Sequence, residues 1–294
     1  MTEGGKTRAL TVSSEPGTTR IKPISMGAGK SDLVGFFWLK RKGDTQMASF
    51  HHSIKSGKKG SASRHARYIE REGAHSNHTD LVHSGFGNMP DWTAGEPNSF
   101  WNMADRHERA NGAAYREHEI ALPNELTEPQ LIDLAERLIR NLIGNKPYQY
   151  AIHAPEGKLG GIQNPHIHLM YSDRVPDGIQ RAPERTFARF NSKDPSLGGR
   201  RKDSGGKSPT DLRQEVTAAR RTAAETQNQV LAEYGHTSRV DHRSLREQGI
   251  LRRAEHHLGQ HFIEGMADTE KAQYAQYRAK GAASSPSVKA PCSQ

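Results

Sequence analysis

Apolar and polar residues alternate in short runs across the middle of the chain and recur at helical spacing on either side of them. Tyr115 to Leu122 alternates strictly, which places Glu117 and Glu119 on one face of a strand. Tyr148 to His153 is a second strand pattern, rich in aromatic and β-branched residues. A third opens at Asn164-Pro165, where a missing N–H does no harm. Beyond it His166, His168 and Met170 share one face, and Ile167, Leu169 and Tyr171 point the other way into a core. Met47 to Ile54 reads as a further strand, with Phe50, His52 and Ile54 on one face.

Four helices follow from the 3.6-residue period. Ser61 to Glu72 carries Ala62, Ala66 and Ile69, with Gly73 at its C-terminal stop. Asn98 to Ala110 buries Phe100, Trp101 and Ala104, and Asn111-Gly112 ends it. Thr127 opens a capping box, and Leu131, Leu134, Ala135, Leu138 and Leu142 form the stripe behind it. Ser208-Pro209 starts a long helix to Tyr234. Lys55 to Gly60 is a basic, glycine-rich turn, and residues 74–97 form an irregular polar loop. Residues 1–46 lack a sustained period and are expected to be disordered or weakly ordered. From Met266 onward the chain is expected to be a frayed, flexible tail. The packed domain is therefore expected over 47–265.

Composition narrows the class. Hydrophobic residues make up 33% of 294, and the mean hydropathy is −0.85, which suits one modest core with polar flanks. Lys and Arg outnumber Asp and Glu by 42 to 33, a net charge of +9 that favours a polyanionic partner. Nucleic acid fits better than a membrane, since no run approaches the roughly 20 apolar residues of a spanning helix. The single cysteine, Cys292, permits neither an internal disulfide nor a cysteine-based metal site, and the cytoplasm is the expected compartment.

Three features carry chemistry. An antiparallel hairpin through the Pro- and Gly-containing segment 154–163 would set His153 beside His166 and His168, three neutral imidazoles suited to a transition metal rather than calcium. Tyr68 lies on a helix among Arg64, Arg67 and Arg71, cations that favour a phenolate. Residues 181–207 interleave Phe187 and Phe190 with Arg185, Arg189, Arg201 and Lys202, a groove in which cations track phosphates and rings stack on bases. Each has a plain alternative: a surface histidine pair, a tyrosine resting over the core edge, a solvated loop. Glu117 is either part of an exposed sheet face or a carboxylate that orients a ligand histidine or helps deprotonate the tyrosine.

Taken together, Tyr68-Ile69-Glu70-Arg71-Glu72-Gly73, Glu108-Arg109-Ala110-Asn111-Gly112 and Asn164-Pro165-His166-Ile167-His168-Leu169-Met170 resemble the MobA/MobL family of plasmid mobilisation relaxases. Val240-Asp241-His242-Arg243-Ser244-Leu245, Gln248-Gly249-Ile250 and His257-Leu258-Gly259 extend the resemblance, which spans roughly Met47 to Gly259. It implies an α+β fold: a five-stranded antiparallel sheet, helices packed on one face and a metal centre on the open face. It also implies a single-strand endonuclease and strand transferase that nicks DNA at an origin of transfer and can rejoin it. Tyr68 would be the nucleophile, Glu117 a carboxylate at the site, and His153, His166 and His168 the ligands of a divalent ion, magnesium or manganese before zinc. Expected partners are the origin single strand, accessory mobilisation proteins and a conjugative secretion apparatus, with transfer alongside DNA into a recipient cell. Many members carry a primase or helicase region, for which this chain is too short. Two other readings stay open: a rolling-circle replication initiator or transposase nuclease, and a non-catalytic single-strand-binding module with a structural metal.

Overall fold

The structure, a computed structural model, describes residues 50–157, 163–251, 263 and 265–283. The expectation for residues 1–46 and the family motif at His257-Leu258-Gly259 lie outside them. Five strands form one antiparallel sheet: β1 (His52–Lys58), β2 (Leu81–Gly87), β3 (Ala113–Ala121), β4 (Tyr148–His153) and β5 (His166–Tyr171), in the order β1-β3-β5-β4-β2. The helices are α1 (Ala62–Ile69), α2 (Pro97–His107), α3 (Glu128–Leu142), α4 (Pro183–Thr186), α5 (Pro209–Glu233) and α6 (Asp268–Ala283). No described helix is long and apolar enough to cross a membrane.

Strand alternation splits the core in two. On one face Ile120, Ile152, Ile167 and Leu169 pack against Leu131, Leu134 and Leu138 of α3 and Val230 and Leu231 of α5. On the other, Ala151, Met170 and Tyr115 meet Ala62, Ala66 and Ile69 of α1 and Phe100, Trp101 and Ala104 of α2. The expectation of helices on one face thus holds for α3 and α5 only. The face that carries His166 and His168 is roofed by α1 and α2, because those two helices also carry apolar stripes that must be buried. Buried Trp101 donates its indole N–H to Gln149 of β4 at 2.6 Å, which satisfies a polar group this roof removes from water.

Both edge strands differ from the sequence expectation for one reason. Lys55 to Lys58 is not a turn but the second half of β1, paired with β3 from Glu117 to Ala113; Phe50 and His51 precede the strand, and the part of the expected strand at 47–49 lies outside the described residues. Residues 81–87, expected as loop, form β2 against β4. The glycines that suggest turns lie beneath tyrosines of the neighbouring strand. A Cβ on Gly57 would sit 1.8 Å from the Tyr115 ring, and one on Gly87 2.5 Å from the Tyr148 hydroxyl. Glycine is therefore the residue that lets an aromatic ring cover an edge strand. At the other extreme, the tail expected to fray contains α6, whose Ala, Gln, Lys and Glu are intrinsically good helix formers.

Helix α1 stops at Ile69 rather than Glu72. Glu72 N–H donates to the Arg67 carbonyl at 2.9 Å, and Arg71 takes a left-handed conformation with φ of 58°. Glycine is the usual occupant of such a position, and a non-glycine residue there costs about 1 kcal/mol. The turn aims the Arg71 guanidinium at Asp80, bonded through Nε at 2.9 Å and Nη2 at 2.7 Å.

Candidate active site

The pairing of β4 with β5 sets His153 directly opposite His166, with His168 opposite Ala151 on the same face. Ligand nitrogens of His153, His166 and His168 lie within 4.8 Å of one another. Each ring donates to protein through one nitrogen. His168 Nδ1 donates to Glu117 Oε1 at 2.8 Å, His166 Nδ1 to the Asn164 carbonyl at 2.9 Å, and His153 Nε2 to the Ile69 carbonyl at 2.6 Å. His166 and His168, so anchored, present their second nitrogen as a lone pair, the arrangement in which histidines bind metals, while the second nitrogen of His153 faces the Arg71 guanidinium. Burial lowers the His153 pKa to about 4 and also lowers that of His166, so both rings are neutral at physiological pH and ready to ligate. Arg71 Nη2 donates to His153 Nδ1 at 3.1 Å, a cation already standing where a metal's charge would fall. The donor set fits a divalent ion that accepts imidazole nitrogen.

Glu117, on the adjacent strand β3, is buried and accepts from His168 and, at 2.9 Å, from His65 Nε2 of α1. Burial alone would raise its carboxyl. The hydrogen bonds from His168 and His65 outweigh that and hold it well below the usual carboxylate range, so it is an anion. A second set of ligand-type groups, His65, Glu117 and His168, is therefore spent on itself.

Tyr68 projects from α1 over this cluster. Its ring centroid is 6.2 Å from that of His168, 5.8 Å from His65 and 5.0 Å from His75, and the Arg71 guanidinium lies 5.0 Å away over its face. An open cavity of about 290 Å³ beside it is lined by Ser61, Arg64, His65, Tyr68, His75 and Tyr115. Two other tyrosines near the sheet centre are poorer nucleophiles. Burial pushes Tyr115 up to about 12, and Tyr171, also pushed up to about 12 by burial, lies on the opposite face.

The sheet thus gathers Tyr68, Glu117, His153, His166 and His168 into one place, together with Arg64 and Arg71. Arg67 is exposed and lines no part of the cavity. Arg189, Arg201 and Lys202 gather at a second cavity beyond the end of β5, whose walls do not include Arg185. Phe187 is no stacking platform: it is 1% exposed, packed on Phe100 at 5.1 Å between centroids. Sequence reasoning missed His65, His75 and Asp80. His65 was detectable, one helical turn before Tyr68 on the same face. Asp80 was not, since it precedes a strand disguised as loop.

Comparison with known proteins places this geometry. Residues 52–267 match the model of the MobA/MobL family. The chain is 46% identical over 209 residues to a 43 kDa relaxation protein of Salmonella typhimurium, covering 70% of this chain and 56% of that one. It is 40% identical over 224 residues to mobilization protein A of Escherichia coli, covering 74% of this chain and 30% of that one. It thus spans about half the length of the first relative and less than a third of the second. A solved structure described as "Molecular Basis of Vancomycin Resistance Transfer in Staphylococcus aureus" shares the fold, with a TM-score of 0.51 at 22% identity over 67% of this chain and all of that one. A family match across most of the chain, whose sheet carries the three histidines with Tyr68 of α1 beside them, shows that this chain belongs to the MobA/MobL family.

Proposed function

We propose that the protein is a relaxase that nicks one DNA strand at an origin of transfer by transesterification onto Tyr68. The observation that carries this reading is the shared placement of a half-buried phenol and three anchored imidazoles on one sheet face. The Tyr68 oxygen attacks phosphorus, a tyrosyl P–O bond forms, the P–O3′ bond breaks, and the proton ends on the departing 3′ hydroxyl. The product is a 5′-phosphotyrosine link. One phosphodiester replaces another, so the strand can be rejoined without a nucleotide cofactor.

His153, His166 and His168 would hold a divalent ion, which when bound supplies positive charge to the non-bridging oxygens of the scissile phosphate. An all-imidazole donor set favours manganese or zinc over magnesium. Glu117 keeps the Nδ1 proton on His168 and leaves Nε2 free to ligate. It also accepts a hydrogen bond from His65 Nε2, so the His65 ring, 5.8 Å from that of Tyr68 between centroids, keeps an Nδ1 lone pair that would receive the phenol's proton and pass it to the departing 3′ oxygen. Arg71 lies over the phenol ring and stabilises negative charge as it develops on the oxygen. The names of the two relatives support a transfer origin over a replication origin as the substrate. Accessory mobilisation proteins and a secretion apparatus are the partners that substrate calls for.

The test is incubation of the protein with origin single strand and manganese, followed by detection of a covalent protein–DNA adduct. Tyr68→Phe should abolish the adduct, a loss of roughly a thousandfold or more, with strand binding within about twofold of wild type. Undiminished adduct in that variant would refute the assignment.

A further inference from the structure

Beyond the end of β5, away from Tyr68, a cavity of about 260 Å³ is walled by Arg109, Arg189, Phe190, Arg200, Arg201 and Lys202. Arg174 lies six residues after His168, which puts this cavity up to roughly 20 Å along the strand direction from the histidines. No carboxylate lines it.

The cavity is built rather than incidental. Buried Arg174 is its post, and all five of its N–H donors are used. Nε and Nη2 grip Glu108 at 3.0 Å each, Nη1 bonds the carbonyls of Ala188 and Arg200 at 3.0 and 2.6 Å, and Nη2 also reaches the Phe187 carbonyl. The loop closes tightly enough that a Cβ on Gly199 would meet the Ala188 carbonyl oxygen at 2.2 Å. Lys202 is tied to the Ala113 carbonyl at 2.7 Å and to Glu108 at 3.3 Å, so Glu108 is fully committed to the frame. That leaves Arg109, Arg189, Arg200 and Arg201, whose guanidiniums have no hydrogen bond or ion pair among the described residues. The Nε of Arg200 is buried with no acceptor at all. Arg109, Arg189 and Arg201 are exposed and free to turn toward an anion, while half-buried Arg200, whose opposing charge Asp177 lies outside this wall, keeps an unmet N–H that an anion in the cavity would complete. Half-buried Phe190 offers a ring face in the same wall.

We propose that this cavity binds a backbone phosphate of single-stranded DNA, with the adjoining base stacked on Phe190, as an anchor separate from the tyrosine site. The inference rests on the reading of the protein as a single-strand-handling enzyme, but its binding step needs neither metal nor cleavage.

The experiment uses the full chain without added metal and follows a labelled 20-mer oligothymidylate by fluorescence anisotropy across a salt series. Arg189→Gln with Arg200→Gln should weaken binding at least tenfold near 0.1 M salt and make the salt dependence shallower by about one to two counterions. The exposed Arg201→Gln, which supports no part of the frame, should act in the same direction if the double variant fails to fold. Phe190→Ala should weaken the oligothymidylate roughly 5- to 100-fold and leave an abasic 20-mer unchanged. Arg140→Gln with Arg213→Gln removes the same charge from α3 and α5 across the sheet. A pocket variant that loses no more than this control overturns the proposal. So does binding that inorganic phosphate displaces beyond the effect of equal ionic strength, since the cavity would then serve free phosphate. Wild-type protein that shows the pocket-dependent binding but forms no adduct with origin strand would sink the relaxase reading and leave the anchor standing. Absence of any strand binding would end both.

Discussion

Each face of the sheet holds a group of buried histidines, and the two groups are built on opposite principles. On the candidate ligand face His153, His166 and His168 each spend one nitrogen on a carbonyl or on Glu117, and their second nitrogens converge, that of His153 capped by Arg71. On the α3–α5 face, His52 Nε2 and His118 Nδ1 bond each other at 2.8 Å, His52 Nδ1 is buried with no partner, and His118 stacks on Tyr171 with centroids 5.1 Å apart. Burial is similar in both. What separates a candidate metal centre from a packing element is where the second nitrogen points, which depends on an acceptor supplied by a neighbouring strand or helix.

The largest test of that contrast is ligand removal. His166→Ala or His168→Ala should lower metal affinity by at least about 10–100-fold in calorimetry, whereas His118→Ala should leave it unchanged and lower the melting temperature instead. Equal metal loss in all three would erase the distinction. Next is Glu117→Gln, which replaces the anion accepting from His168 and His65 with a neutral amide. Metal affinity should fall roughly tenfold or more, and the adduct-forming rate should fall further than strand binding, as a KM-against-kcat comparison would show. A pure stability effect would break the orienting role.

Acid should unfold the packing pair. Burial first, then the neighbouring charges of His118 and Arg220, lowers His52 to about 3; burial, then Arg116 and Lys146, lowers His118 to about 4. Below about pH 6.5 the unfolded chain takes up protons that the native rings refuse, so stability declines as pH falls toward 3–4, by up to a few kcal/mol per ring. Urea midpoints measured from pH 7 to 4 should show the decline. His52→Leu with His118→Phe should flatten it while leaving metal binding intact. An unchanged acid limb would assign the effect to the ligand face instead. The smallest effect belongs to the sheet edge: Gly87→Ala should cost a kcal/mol or more in urea unfolding, because Tyr148 must move off β2 to make room.

How much of this was legible depended on position in the sheet. The central strands announced themselves, since burial on both sides writes alternation into β3 and β5 and apolar runs into β4. The edges did not. Gly57, Gly85 and Gly87 read as turn residues until the tyrosines that cover them are in view, and those tyrosines lie in other strands. The ligand triad was readable because one hairpin contains it. The contact of Arg71 with Asp80 and the ring of His65 on Glu117 join segments with no local pattern to tie them together. Phe187 shows the converse: interleaved with arginines it resembles a stacking residue, yet α2 buries it.

The β4–β5 pairing has a consequence for the order in which the protein assembles. All three candidate metal ligands lie in one antiparallel strand pair, a unit that forms in microseconds because little chain must be searched to close it. Glu117 and His168 are separated by 51 positions in sequence, and Arg71, in the turn after Tyr68, is separated from His153 by 82. Those closures come later and carry the larger entropic cost. A chain part-way through folding can therefore bring the three imidazoles together before Tyr68 and Glu117 are set beside them, so the complete candidate site is the last thing the fold assembles.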